Sequence, residues 1–129
     1  MFSLKYLFLV LLGGGLGAVS RYAATTLIGA RFGTVFPFGT LFVNVLGSFV
    51  MGFIMMFAIS EHLTLPEPVR LLLVVGFLGG FTTFSSFSME TLTLFSGSDF
   101  FYAFSNMAAN LGLGLLAVWL GMAAARMLS

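Results

Sequence analysis

The residues able to do chemistry in this chain are few, and they recur at helical spacing. Gly13, Gly17, Arg21 and Thr25 form one row of fours. Thr40, Asn44 and Ser48 form a second, with Gly47 and Gly52 nearby, and Tyr102, Asn106, Asn110 and Gly114 form a third. Side chains four apart share a helix face, so three helices each present one polar or small face. Such a face has two readings. Small residues let helix backbones approach and amides or hydroxyls join neighbouring helices. Polar groups held inside a membrane also mark substrate paths.

A fourth concentration of polar chemistry lies in 76-GFLGGFTTFSSFSMET-91. Gly79-Gly80 is expected to break a helix, and broken helices at depth need protein or a cavity to receive the freed backbone groups. Carbonyls released at such a break suit a bare cation such as Na⁺. Beyond it, Phe81, Phe84 and Phe87 are expected along one face with Ser88, and Thr83, Ser86 and Glu90 along the opposite one. Aromatic rings have electropositive edges, so a ring turned edge-on can meet an anion. Core packing is the competing reading of the same row. Arg21 and Glu90 are charges inside apolar segments, either snorkelling to an interface or facing a water-filled vestibule. In a vestibule, Arg21 raises the local anion concentration.

The elements that must position these groups follow from composition. The chain has 129 residues, 60% hydrophobic and 7% charged, with mean hydropathy +1.14. Soluble domains carry roughly 25% charged residues, so this is a membrane protein. A spanning helix needs about 20 apolar residues, and four spans fit, at about 4–28, 37–60, 68–95 and 100–127. The connections are short and no soluble domain remains, giving one all-α membrane domain over residues 1–129. A cleaved leader is not expected, because glycine and arginine follow Tyr6–Leu12 where a cleavage site should lie.

Composition also excludes chemistry. There is no cysteine, hence no disulfide, thiolate nucleophile or thiolate-bound metal. The single histidine, His62, sits among turn residues, and no nucleophile–base pair can be assembled. No phosphate-binding G-x-x-x-x-G-K-[ST] loop occurs, and a net charge of +1 without a basic run gives no sign of nucleic acid. With both ends on one side, Lys5, Arg70 and Arg126 face Arg31, joined by Arg21 if it lies near the helix end. That is little bias under the positive-inside rule. A chain so balanced is compatible with insertion both ways and antiparallel pairing with itself.

The blocks 13-GGGLGAVSRY-22, 39-GTLFVNVLGSF-49, 76-GFLGGFTTFSSF-87 and 106-NMAANLGLG-114 resemble the Fluc (CrcB) fluoride channels over essentially the whole chain. The resemblance implies an antiparallel, dual-topology homodimer in the bacterial inner membrane, with two fluoride pores lined by both subunits. It implies passive fluoride export, protecting the cell from fluoride that accumulates after HF enters. Phe84 and Phe87 match the family's pore phenylalanines, Asn44 its pore amide, and Arg21 its vestibule arginine. Thr83, Ser85, Ser86 and Glu90 match a polar track on the third helix, and Asn106 and Asn110 its continuation on the fourth. Gly114 stands where some relatives carry a hydroxyl, and Phe81 is left to packing. Gly79 and Thr82 match the backbone carbonyls that hold a structural Na⁺ on the dimer axis. The main rival is a small dual-topology coupled transporter, such as a fluoride/proton antiporter or multidrug exporter. An exporter of that kind relies on a carboxylate in its first helix, and this chain has none between Met1 and Ser60. A purely structural membrane subunit is the other.

Overall fold

The computed structural model describes residues 2–60 and 65–128. Among them are four helical spans long and apolar enough to cross a membrane. His62 and most of the second connection lie outside the described residues. The first span, Leu4–Phe32, starts where the Ser3 side chain accepts from the Tyr6 N–H at 3.1 Å. It runs past its expected end to Gly33, whose φ of 84° favours glycine and whose N–H donates to the Gly29 carbonyl at 2.8 Å. The second span, Phe38–Ser60, follows directly on Pro37.

The third span, Glu67–Ser96, is composite. Its first turn carries a proline and an Arg70–Glu67 ion pair at 2.7 Å. A π-helical run, Leu71–Leu78, leads into the turn Gly79–Phe81. The chain then extends through Thr82 (ψ 159°) and Thr83 (ψ 118°) before the helix Phe84–Ser96. The break therefore falls three residues beyond Gly79-Gly80, where it was expected. Gly79 itself is helical, at φ −62° and ψ −38°. The fourth span, Phe100–Leu128, contains a second π-helical stretch, Ala109–Leu113.

Close backbone packing is what Gly80 does instead, whereas Gly79 has only ordinary contacts. A Cβ on Gly80 would lie 2.5 Å from the Gly14 carbonyl oxygen. Gly13 and Gly17 sit equally tightly against the backbones of Leu72 and Phe77. The first span is thereby seated on residues 71–81 of the third. The second and fourth spans pair likewise, Gly52 against the Val118 carbonyl and Gly121 against that of Phe49. Lipid offers helices no hydrophobic drive to associate, so such small-residue contacts carry the packing.

Candidate functional site

The break is organised by two side chains from other spans. Arg21, midway along the first span, donates from Nε to the Gly80 carbonyl at 3.0 Å. Asn44, on the second span, clasps Thr83 from both sides. Its Oδ1 accepts from the Thr83 N–H at 2.8 Å, and its Nδ2 donates to the Thr83 carbonyl at 3.0 Å. Thr83 also caps the helix that follows, its Oγ1 accepting from the Ser86 N–H at 3.1 Å. Extended backbone within the membrane is thus satisfied by protein, as the environment requires.

From Asn44 a chain of amides leads to the fourth span. Asn44 Nδ2 donates to Asn110 Oδ1 at 3.0 Å, and Asn110 Nδ2 donates to Asn106 Oδ1 at 3.0 Å. Asn106, wholly buried, donates to Thr91 Oγ1 at 2.9 Å. Thr91 in turn donates to the Phe87 carbonyl at 2.8 Å, closing a path back to the ring-bearing helix. Three spans are linked by one run of donors and acceptors. Asn106 Oδ1 and Asn110 Oδ1 each accept one of these bonds, so the run has a fixed direction.

A groove of about 340 Å³ opens beside this network. Asn44, Thr83 and Asn110 line it together with Phe84, Phe87, Gly79 and Thr82. Phe84 and Phe87 lie with centroids 5.6 Å apart and planes tilted by 56°, and Phe84 is 76% exposed on the chain. Phe81 does not continue their row, contrary to the expected shared face, because the break intervenes. It is buried and stacks on Phe77 at 5.8 Å.

Other expected site residues lie outside the groove. Ser85 and Ser86 occupy the first turn after the break, with Ser85 Oγ 3.4 Å from Thr83 Oγ1. Asn106 sits behind the groove wall. Glu90 belongs to a separate cleft of about 190 Å³ beneath the Gly33–Pro37 connection. There its Oε2 accepts from Thr40 Oγ1 at 2.9 Å, while Oε1 is buried without a partner among the described residues. Arg21 and Glu90 therefore each have a neutral partner, one a carbonyl and the other a hydroxyl. Neither partnership was readable from the sequence. Thr91 was missed as well, although Phe84, Phe87 and Thr91 follow the i, i+3, i+7 pattern of one helix face.

The two positions matched to Na⁺ share a feature of the break. Thr83 gives its N–H to Asn44, not to the Gly79 carbonyl four residues back. Ser86 gives its N–H to the Thr83 side chain, not to the Thr82 carbonyl. Gly79 and Thr82 thus present carbonyl oxygens relieved of their helical donors. Such hard, neutral oxygens fit a bare monovalent cation.

Comparison with known proteins places this architecture. Residues 8–122 match the family model described as CrcB-like protein, Camphor Resistance (CrcB). A protein of Dehalococcoides mccartyi named fluoride-specific ion channel FluC is 52% identical over 111 residues, covering 84% of this chain and 83% of that one. Relatives bearing the same name include one from Magnetococcus marinus, 44% identical over 92% of this chain and 96% of its own length. Another, from Solibacter usitatus, is 47% identical over 95% and 99% respectively. The match of nearly the whole chain to one family model, and to relatives of almost equal length, means that the protein belongs to the CrcB family.

Proposed function

We propose that this protein is a fluoride-selective, passive ion channel that exports fluoride across a bacterial inner membrane. The family is one of ion channels, not enzymes. The observation carrying the reading is the groove lined by two phenylalanines, two amides and two threonines. Fluoride is small and holds its water tightly, so a conductor must replace that shell with many donors of moderate strength. Amide N–H groups, hydroxyls and ring edges are such donors. None of the groove residues is charged, which favours release as well as entry.

Conduction then falls to this chain's own side chains. Arg21 concentrates anions near the break. Phe84 and Phe87 present ring edges, and Asn44 Nδ2 gives up its bond to Asn110 Oδ1 to donate to the ion, with Asn110 lining the wall beside it. Both N–H groups of Asn44 are already engaged, one by Thr83 and one by Asn110. Contact with the ion thus costs Asn44 one of these bonds in exchange. Thr83, Ser85, Ser86 and Glu90 supply further polar groups along the second half of the third span, and Asn106 another on the fourth.

The exposure of Phe84 and the open side of the groove fit completion by a second copy of this chain. The finer reading is an antiparallel, dual-topology homodimer with two pores. The carbonyls of Gly79 and Thr82 would hold a structural Na⁺ at the dimer interface. Bound there, it would supply a positive charge that joins the two helix breaks. A coupled transporter is not favoured, since the relatives are named ion channels.

Fluoride efflux from liposomes containing only this protein tests the reading, with chloride as control. Flux following the fluoride gradient and voltage is expected. Flux that appears only with a pH gradient, or equal chloride flux, overturns it.

A further inference from the structure

An open, groove-like cavity of about 1030 Å³ lies between the first, second and fourth spans, with an almost wholly apolar lining. It is distinct from the channel groove. On the second span its walls include Phe38, Leu46 and Phe49, whereas the channel groove uses Asn44, Gly47 and Ser48. At 100° per residue these two sets point to different sides of one helix.

Two properties of the cavity identify what fills it. The first is depth. Phe38 opens the second span and Phe49 lies eleven residues on, about 16 Å at 1.5 Å per residue. The hydrocarbon core is about 30 Å thick, so the cavity is one leaflet deep. The second is charge. On the first span the wall includes Leu27, Ile28 and Phe32. Arg31, in the last turn, lies four residues after Leu27 and three after Ile28, extending the same face to the helix end. The apolar slot thus begins at a membrane interface with a cation and ends near mid-membrane.

We propose that this cavity is a lipid site, taking one acyl chain of an anionic phospholipid whose phosphate is met by Arg31. The slot matches a single chain in depth and polarity, and the guanidinium matches the phosphate. A zwitterionic lipid fits the slot but has weaker attraction to the arginine. The site lies on the face remote from the channel groove, so it stands whether or not the channel reading does.

The chain has no cysteine, so one introduced at the cavity wall is a clean reporter. Leu46→Cys carrying a fluorophore is reconstituted with phosphatidylglycerol or phosphatidylcholine bearing brominated acyl chains. Leu115→Cys, at an exposed site on the fourth span outside the cavity, is the reference. Quenching at position 46 should favour phosphatidylglycerol about fivefold, the fold-change that ~1 kcal/mol per arginine near a membrane surface implies. Arg31→Ala should abolish that preference at 46 without altering position 115. Equal quenching by both lipids overturns the proposal, and so does the same preference at 46 and 115. Protection of 46 from both lipids, or its disulfide pairing with a second copy, marks a protein interface instead and also overturns it.

Discussion

Arg21 and Gly80, 59 residues apart, are joined by a 3.0 Å bond from guanidinium Nε to carbonyl oxygen. The arginine is therefore part of the scaffold of the break as well as a source of positive potential. Arg21→Ala leaves a partly buried carbonyl without its donor, and should cost about 1.5–3 kcal/mol. Arg21→Lys keeps a donor but loses the planar fork. Thermal unfolding in detergent should rank wild type above the lysine variant and that above the alanine variant. Equal midpoints for all three would reduce Arg21 to a surface charge.

Asn44 makes three hydrogen bonds across the site, two to the Thr83 backbone and one to Asn110. Interhelical bonds in membranes average roughly 0.6 kcal/mol each. Asn44→Ala should therefore destabilise by about 2 kcal/mol and abolish fluoride flux. Asn44→Asp keeps the acceptor for the Thr83 N–H but turns a carboxylate oxygen against the Thr83 carbonyl and Asn110 Oδ1, so it should be no more stable than the alanine variant and carry no flux. Flux assays beside thermal melts check both outcomes.

Phe84 and Phe87 tilt towards each other at the groove while Phe81 packs behind them. Replacing either groove ring with Ile removes its polarised edge and should lower flux about tenfold, the upper end of what an aromatic contact contributes. The fold should survive, since Phe84 is mostly exposed. Phe81→Ile should instead act on stability with flux per folded channel retained. Wild-type flux in both groove variants would assign those rings to packing.

Glycines divide sharply by position. A Cβ on Gly121 meets the Phe49 backbone, and one on Gly17 meets that of Phe77, whereas Gly15 and Gly112 have open space. Gly17→Ala and Gly121→Ala should each cost about 1–3 kcal/mol through overpacking. Gly15→Ala should be tolerated by the chain itself. Chemical unfolding of the four alanine variants, Gly112→Ala included, checks the split.

The spans were legible in the sequence because hydropathy and length act over many residues at once. The polar rows on the second and fourth spans were legible through their spacing of four, and Asn44 and Asn110 do meet. The break was misplaced at Gly79-Gly80 because glycine serves two ends that look alike in one dimension. It loosens a helix, and it also permits a close crossing. Which applies depends on what lies opposite, here the backbone of Gly14. The partners of Arg21 and Glu90 were illegible for a related reason. Each lies at least 50 residues away and is fixed by where helices cross. Ser85 and Ser86 lie off the groove wall because the turn of the chain at Thr82–Thr83 reorients the helix that carries them, and Asn106 because it turns inward to Thr91.

The two kinds of fastening found here have different evolutionary reach. Glycine crossings bind the first span to the third and the second to the fourth, backbone against backbone, so almost any substitution there strains the framework. The helix bearing Phe84 and Phe87 is fastened to the other spans by Asn44, Asn106 paired with Thr91, and Glu90 paired with Thr40. Exchangeable polar side chains can be swapped singly while the greasy frame stays put. A lineage could thus retune which ion is favoured, or how fast it moves, by point changes at a handful of rungs without rebuilding the ladder.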